Sequence, residues 1–262
     1  MNIIIHGSTG RMGRALLACS ANYSDIAVVG EIHRNSINEN WSQYEENCIL
    51  RADVVVDFSI PAATPVISEI CASYKKAIVI GTTGHNRDQL QYIKRHANFI
   101  PIVMASNFSI GVNVLFVLVR EAAKILGPGF DLEIIEMHHR FKKDAPSGTA
   151  KTLTEILKDV RDRQIAKSTD LRQFGTSTQT RNGREGITGE RPRNEIGIHS
   201  VRGGDVVGDH TVIFAGDGER VELTHKASSR DAFANGALLA AEWVVHQKPG
   251  FYDMQDVLGL PK

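Results

Sequence analysis

Fifteen residues near the middle of the chain, Glu136 to Ala150, gather two adjacent histidines (His138, His139), a lysine (Lys142) and a Ser147-Gly148-Thr149 turn just after Pro146. These groups suit proton transfer and the grip of a small dianion. Lys142 supplies a fixed positive charge. An amphipathic helical pattern begins after Pro146, so the backbone N–H groups of Ser147, Gly148 and Thr149 fall at the positive end of a helix dipole, where carboxylates bind readily. Gly148 lets a ligand come close to that backbone. The histidines follow an apolar, β-type run from Leu132 to Met137. Strand alternation sends adjacent side chains to opposite faces, so His138 and His139 share one role only if the strand stops between them; otherwise one donates protons while the other binds. The plainer alternative makes both histidines ordinary polar residues at a strand end and Ser147 a helix cap. A metal site is not expected, because adjacent histidines lack the spacing of a zinc-binding helix and no cysteine lies nearby.

A second constellation opens the chain. The apolar run Ile3-Ile4-Ile5 leads into Gly7, Ser8, Thr9, Gly10, Arg11, Met12 and Gly13, and a helical pattern follows. The spacing is G-x-x-G-x-x-G, a variant of the dinucleotide fingerprint in which Ser8 stands where the first glycine usually does. Glycines there permit the tight turn and bring backbone N–H groups to a pyrophosphate at a helix N-terminus.

The elements that must position these groups read as an α/β chain. Strands are expected near 2–6, 26–32, 53–58, 77–81 and 100–104, with helices near 11–21, 61–74 and 86–96 between several of them, which gives a doubly wound, Rossmann-type parallel sheet. Ligands on such sheets bind beyond the carboxyl ends of the strands. Those ends read Gly7 to Met12, His33-Arg34, Phe58-Ser59, Gly81-Thr82-Thr83 and Ala105-Ser106-Asn107-Phe108. Residues 35–51 are polar and read as an irregular surface excursion. After a helix over 111–126 and the breaker Gly127-Pro128-Gly129, the pattern changes to an α+β unit with a mixed, largely antiparallel sheet. In it 132–137 joins strands at 195–201, 209–215 and 220–225, the last three read as antiparallel neighbours. Residues 167–193 read as a polar loop or lid, and 232–246 as a helix that packs back on the first domain. An open face or edge of the second sheet needs a cover, and another subunit would supply one.

Lysine plus arginine (30) equal aspartate plus glutamate (30) in 262 residues, so no overall field recruits nucleic acid or an acidic membrane; the expected partner is a small molecule. Cys19 and Cys71 fall in helical patterns and Cys48 in a polar connector. Three such cysteines fit reduced thiols in a cytoplasm. No run is long enough for a transmembrane helix and no charged leader precedes the first strand.

Taken in order, Gly7 to Gly13, Gly81 to Gly84, Asn107 to Asn113, Glu136 to Thr149, His225 to Arg230 and Phe233 to Gly236 resemble the dihydrodipicolinate reductase family over essentially the full length. The resemblance implies reduction of 4-hydroxy-tetrahydrodipicolinate to tetrahydrodipicolinate by NAD(P)H, with loss of water, in diaminopimelate and lysine synthesis. It implies a dinucleotide-binding domain over 1–108 completed by 230–262, a substrate-binding and oligomerisation domain over 109–229, hinges near Ser109 and Ser229, and a homotetramer. By the same resemblance His138 is the proton donor and Lys142 the second catalytic group, while His139, Gly148 and Thr149 bind substrate. Nucleotide contacts map to Gly7 through Met12, Gly81-Thr82-Thr83 and Ala105-Ser106-Asn107-Phe108. Where many members carry an acidic residue and then arginine after the second strand, this chain has His33-Arg34. Arginine suits the 2′-phosphate, so NADPH is expected to be preferred, with NADH still accepted. Two rivals are weaker. An aldehyde dehydrogenase of the aspartate-semialdehyde type needs an activated cysteine, which none of the three contexts provides, and a nucleotide sensor has no use for Lys142 or the Ser147 turn.

Overall fold

A computed structural model describes residues 1–33, 42–167 and 177–261, and it divides into two compact units: Met1–Ile110 with Arg230–Lys262, and Gly111–Ser229. The first unit is built on strands β1 (Asn2–His6), β2 (Ala27–Ile32), β3 (Val54–Asp57), β4 (Ala77–Ile80), β5 (Pro101–Met104) and β11 (Gly250–Tyr252). They form one parallel sheet in the order β11-β5-β4-β3-β1-β2. Its central strands are continuous β-branched runs: Ile3, Ile4 and Ile5, Val54 to Val56, and Ile78 to Ile80 are all 0% exposed. Burial on both faces is what such runs require.

Helices α1 (Arg11–Ser20), α2 (Gln43–Arg51), α3 (Thr64–Ser73), α4 (Arg87–His96) and α7 (Asp231–Val244), with the short α8 (Met254–Leu258), cover the sheet. In α4 the Asn86 side chain accepts from Gln89 N and the Gln89 side chain accepts from Asn86 N, a reciprocal cap that fixes the helix start. Helix α7 reaches the sheet through small residues. Ala234, Ala237, Ala240 and Ala241 are fully buried, and a Cβ on Gly236 would stand 1.8 Å from the Phe108 carbonyl oxygen.

The second unit holds β6 (Asp131–His138), β7 (Gln179–Asn182), β8 (Glu195–Arg202), β9 (Gly208–Gly216) and β10 (Glu219–Ala227), with helices α5 (Ile110–Leu126) and α6 (Gly148–Lys167). The sheet order is β10-β9-β6-β8-β7. On one face Leu132, Ile134, Ile196, Ile198, Val212 and Phe214 pack with Val112, Phe116, Leu153 and Leu157 of the two helices.

Several expectations need correction. The polar stretch before Arg51 is not wholly irregular: Ser42 and Glu45 cap α2 reciprocally, and Cys48 lies inside that helix, buried, rather than in a connector. A strong local cap outweighs polar composition here. Strand β8 is not an antiparallel neighbour of β9; both flank β6, with β8 parallel to β6 and β9 antiparallel to it. The sheet is therefore mixed, with β7 also parallel to β8. The expected loop contains β7, and beyond it Arg184 and Arg191 pin the segment to Glu133 and Glu195. Charged side chains, which read as solvation in a sequence, here tie chain to sheet. The segment after α7 adds β11 and α8, too short for periodicity to reveal.

Candidate active site

Strand β6 changes character along its length. Leu132 and Ile134 face the helices, and the next two residues on that face are Glu136 and His138. Their cross-strand neighbours change in step: Glu136 pairs with His210 on β9 and Ser200 on β8, and His138 pairs with Arg202. One sheet face thus runs from core into a polar end. The strand stops at His138, so His139 leaves the pleat. Its N-terminal neighbour is held by Gly203 N donating to the His138 carbonyl at 3.0 Å.

The groups meet on a buried carboxylate. Glu136 is 0% exposed, and its Oε2 lies 2.5 Å from His138 Nδ1 and accepts from Arg202 Nη1 at 2.8 Å. Its Oε1 accepts from Arg202 Nη2 at 2.7 Å and from Ser147 N at 3.3 Å. Burial works against the charge on Glu136, but hydrogen bonds from His138 and Arg202 outweigh it and hold the carboxyl well below the usual range. Arg202 also donates to the Asp144 carbonyl, tying in the loop before α6. Ser147 Oγ accepts from Ala150 N at 3.2 Å and lies 3.1 Å from His210 Nε2. Ser147 is thus the helix cap that the plainer reading named, as well as part of the cluster. The His138 and His210 rings meet edge to face at 5.2 Å. Burial, then the neighbouring His138, pushes His210 down to about 3, so it is neutral at ordinary pH.

The remaining central residues lie close by in the chain. His139 and Thr149 are buried, and Gly148 begins α6. Lys142 Nζ donates to both carboxylate oxygens of Asp144, at 2.8 and 3.0 Å, so its charge is paired with an exposed acid. Asp144 is partly desolvated, which opposes its charge, but Lys142 lowers its carboxyl below the ordinary value.

In the first unit, Phe58 gathers the expected nucleotide segments. A Cβ on Gly7 would stand 2.5 Å from the Phe58 carbonyl oxygen, and one on Gly81 would stand 2.2 Å from its ring; the Phe58 and Phe108 rings are 5.6 Å apart. Gly7 has φ +85°, a left-handed conformation that suits glycine. Gly13 is needed too, since its Cβ would lie 2.3 Å from the Gly7 carbonyl oxygen. Ser8 is buried with its Oγ 3.4 Å from His33 Nδ1; Thr9, Gly10 and Arg11 are exposed, and Met12 packs partly against the core. Helix α1 starts without a side-chain cap and with no acid in its first turn, which suits an anion. Thr82 is buried and Thr83 exposed; Ala105, Ser106 and Asn107 follow β5, with the Asn107 side chain accepting from Ser109 N at 2.8 Å. Arg34 lies outside the described residues.

Sequence reasoning missed the supports of both sites. Glu136 carried a signal, since a residue two before His138 on a strand shares its face. Arg202 and His210 became relevant only through strand pairing. In the first unit, buried Asp57 lies 2.7 Å from His6 Nδ1 and accepts hydroxyl hydrogen bonds from Ser59, Thr64 and Thr82 at 2.5, 2.7 and 3.0 Å. It anchors the Gly81-Thr82-Thr83 turn from below.

Family models described as dihydrodipicolinate reductase, N-terminus and C-terminus, match residues 1–108 and 111–258. The chain belongs to the dihydrodipicolinate reductase family. A 4-hydroxy-tetrahydrodipicolinate reductase from Akkermansia muciniphila is 49% identical over 260 residues, 99% of this chain and 98% of that protein. One of the same name from Pseudoalteromonas atlantica is 43% identical, with 98% of each chain covered. Among solved structures, the dipicolinate-bound dihydrodipicolinate reductase of Paenisporosarcina sp. TG-14 superposes with a TM-score of 0.73 at 27% identity, covering 98% of each chain. A diaminopimelate dehydrogenase of Clostridium tetani, with a TM-score of 0.54 at 12% identity, shares the fold alone.

Proposed function

We propose that this reductase-family chain converts 4-hydroxy-tetrahydrodipicolinate to tetrahydrodipicolinate with NAD(P)H, a step of diaminopimelate and lysine synthesis. The observation that carries the reading is the junction on Glu136, where a histidine and the first amide of an anion-facing helix turn are held by one buried carboxylate. Bound NAD(P)H supplies hydride to the ring carbon from which hydroxyl leaves. The left-handed Gly7, the close-packed Gly13 and the uncapped α1 fit the pyrophosphate of such a cofactor.

Within the second unit, the amides of Gly148 and Thr149, with His139 and Ser147, would take the substrate's carboxylates. Lys142 would exchange Asp144 for a substrate carboxylate, a swap between two anions that keeps the ammonium paired. His138, or a water it orients, would deliver the proton that accompanies reduction. Residues 1–108 with 230–262 serve the nucleotide and 109–229 the substrate. Segments Gly7 to Met12, Gly81 to Thr83 and Ala105 to Phe108 are the nucleotide contacts. Arg34 favours NADPH because a guanidinium fork suits the 2′-phosphate.

The chain acts as a homotetramer. The sheet face away from the helices exposes Ile135 and Val201, and the alternating strand β10 is an open edge; another copy would cover both. Light scattering at micromolar protein checks the assembly, and a monomer would remove it. Its place is the cytoplasm, in keeping with three buried, unpaired thiols. Among the described residues no helix is long and apolar enough to cross a membrane.

The reaction is tested by following NADPH absorbance while a synthase makes the substrate from pyruvate and aspartate semialdehyde. Turnover is expected, with pyridine-2,6-dicarboxylate competing against substrate. Cofactor binding without turnover would refute the reading, and inhibition competitive only with cofactor would refute the assignment of the dianion to the second unit.

A further inference from the structure

We propose that Glu136 is the positioning residue of this site: its carboxylate fixes the tautomer of His138, so that Nε2 faces the substrate, and registers the Ser147 turn against that ring. The inference deepens the reading of His138 as proton donor and rests on it. Glu136 and His138 stand on the same face of β6, two residues apart. The Glu136 side chain meets donors and a histidine nitrogen: His138 Nδ1 and Arg202 Nη1 on Oε2, Arg202 Nη2 and Ser147 N on Oε1, and the Ser200 hydroxyl as well.

An ionised carboxylate can only accept, so His138 must present Nδ1–H to it. The consequence is chemical. Neutral His138 then keeps its lone pair at Nε2, and charged His138 has its transferable proton there. On that side, a Cβ on Gly208 would approach His138 Nε2 to 3.1 Å, so glycine leaves the nitrogen uncrowded. The second oxygen extends the control: because Oε1 takes the Ser147 amide, the proton donor and the start of α6 are referred to one rigid group. Arg202 locks that group through two hydrogen bonds, a planar fork on a planar carboxylate.

Few other charges face His138. From β9, His210 touches its ring, and burial keeps that imidazole neutral. From β10, His225 stands opposite His210, and Asp209 on β9 stands opposite Met137. Lys142 and Asp144 in the loop pair with each other. The Glu136–Arg202 pair is the charge in direct contact. Removing the carboxylate should therefore release the tautomer of His138, while removing only Arg202 leaves the acceptor in place.

Imidazole nitrogen NMR on the full-length protein tests this, with His138→Gln used to assign the signal. In the wild type, neutral His138 should carry hydrogen on Nδ1. In Glu136→Gln, whose amide can either donate or accept, hydrogen should appear on Nε2 as well, whereas Arg202→Gln keeps the carboxylate and should keep hydrogen on Nδ1. The kcat of Glu136→Gln should fall by at least about ten-fold. A residue that only supported the fold would leave the His138 tautomer unchanged in Glu136→Gln. An Nε2–H tautomer in the wild type, or an unchanged tautomer in Glu136→Gln, would overturn the proposal. Should Glu136→Gln fail to fold, the wild-type tautomer and its retention in Arg202→Gln still decide. The NMR readout needs no turnover, so an inactive wild type would count against the proposed reaction and leave the role of Glu136 separately readable.

Discussion

His210 should make the protein lose stability as the solution is acidified, and replacing it with Gln should remove that loss. Burial and the adjacent His138 press its folded value to about 3, against an ordinary value of 6.5. Below pH 6.5 the unfolded chain therefore binds a proton that the folded chain refuses. Stability falls as pH drops from 6.5, and the loss is complete only near pH 3. Each pH unit inside that window costs up to about 1.4 kcal/mol, so acidification from pH 7.5 to 5 should remove about 2 kcal/mol through this one side chain. The amide of Gln can keep a hydrogen bond to Ser147 Oγ without taking up a proton. Urea denaturation of wild type and His210→Gln at both pH values measures the difference. Other imidazoles with lowered values, the half-buried His85, His96 and His225, titrate in both proteins and cancel. Equal pH dependence in the two proteins would refute the reasoning, because it would mean that folded His210 accepts a proton as freely as the unfolded chain does.

Replacing His138 with Gln should leave cofactor affinity intact and lower kcat by roughly 10²–10⁴-fold, the usual worth of a placed acid; a near-normal kcat in the coupled assay would remove it from the mechanism. Lys142→Ala should raise KM and lower kcat together, and a change confined to the cofactor constant would show that the lysine serves the other unit. Arg34→Ala should weaken NADPH by roughly ten-fold to a hundred-fold, the loss of one charge-assisted contact, with little change for NADH; an equal response of the two, read by fluorescence titration, would assign ribose recognition elsewhere. Asp57→Asn leaves His6 without its anion and three hydroxyls with a weaker acceptor, so the protein should lose about 3–5 kcal/mol in urea denaturation, and a loss under 1 kcal/mol would argue that the buried pair is incidental.

The first sheet was readable because its strands are unbroken β-branched runs punctuated by glycine turns. The expected strand at 2–6 coincides with β1, and the other four differ from theirs by a residue at one or both ends. Helix α2 escaped because its signal is a cap, Ser42 with Glu45, inside a polar stretch, and averaging over composition hides a two-residue device. In the second unit strand positions were legible but their neighbours were not: nothing local to 195–202 says that it will run parallel to β6. That gap explains the missing half of the candidate site. Motif spacing brings out His138, Lys142 and Ser147, which lie within ten residues of each other. Arg202 and His210 come from more than sixty residues away, and only sheet order puts them beside Glu136.

The return of the chain to its first unit has a consequence for synthesis. The core under β1, β3 and β4 includes Ala234, Ala237, Leu238, Ala241 and Met254, and the sheet is finished by β11. Until those residues leave the ribosome, the first five strands lack one of their covering layers and an edge. The unit begun first is thus completed last, while 111–229, an uninterrupted segment, has all its own parts sooner. At about 5–20 residues per second, the roughly 125 residues between β5 and α7 leave the opening strands waiting for about 6–25 seconds with apolar surface bare. For this chain the interval of greatest exposure to aggregation falls during translation, and it lengthens with any slowing between residues 111 and 229.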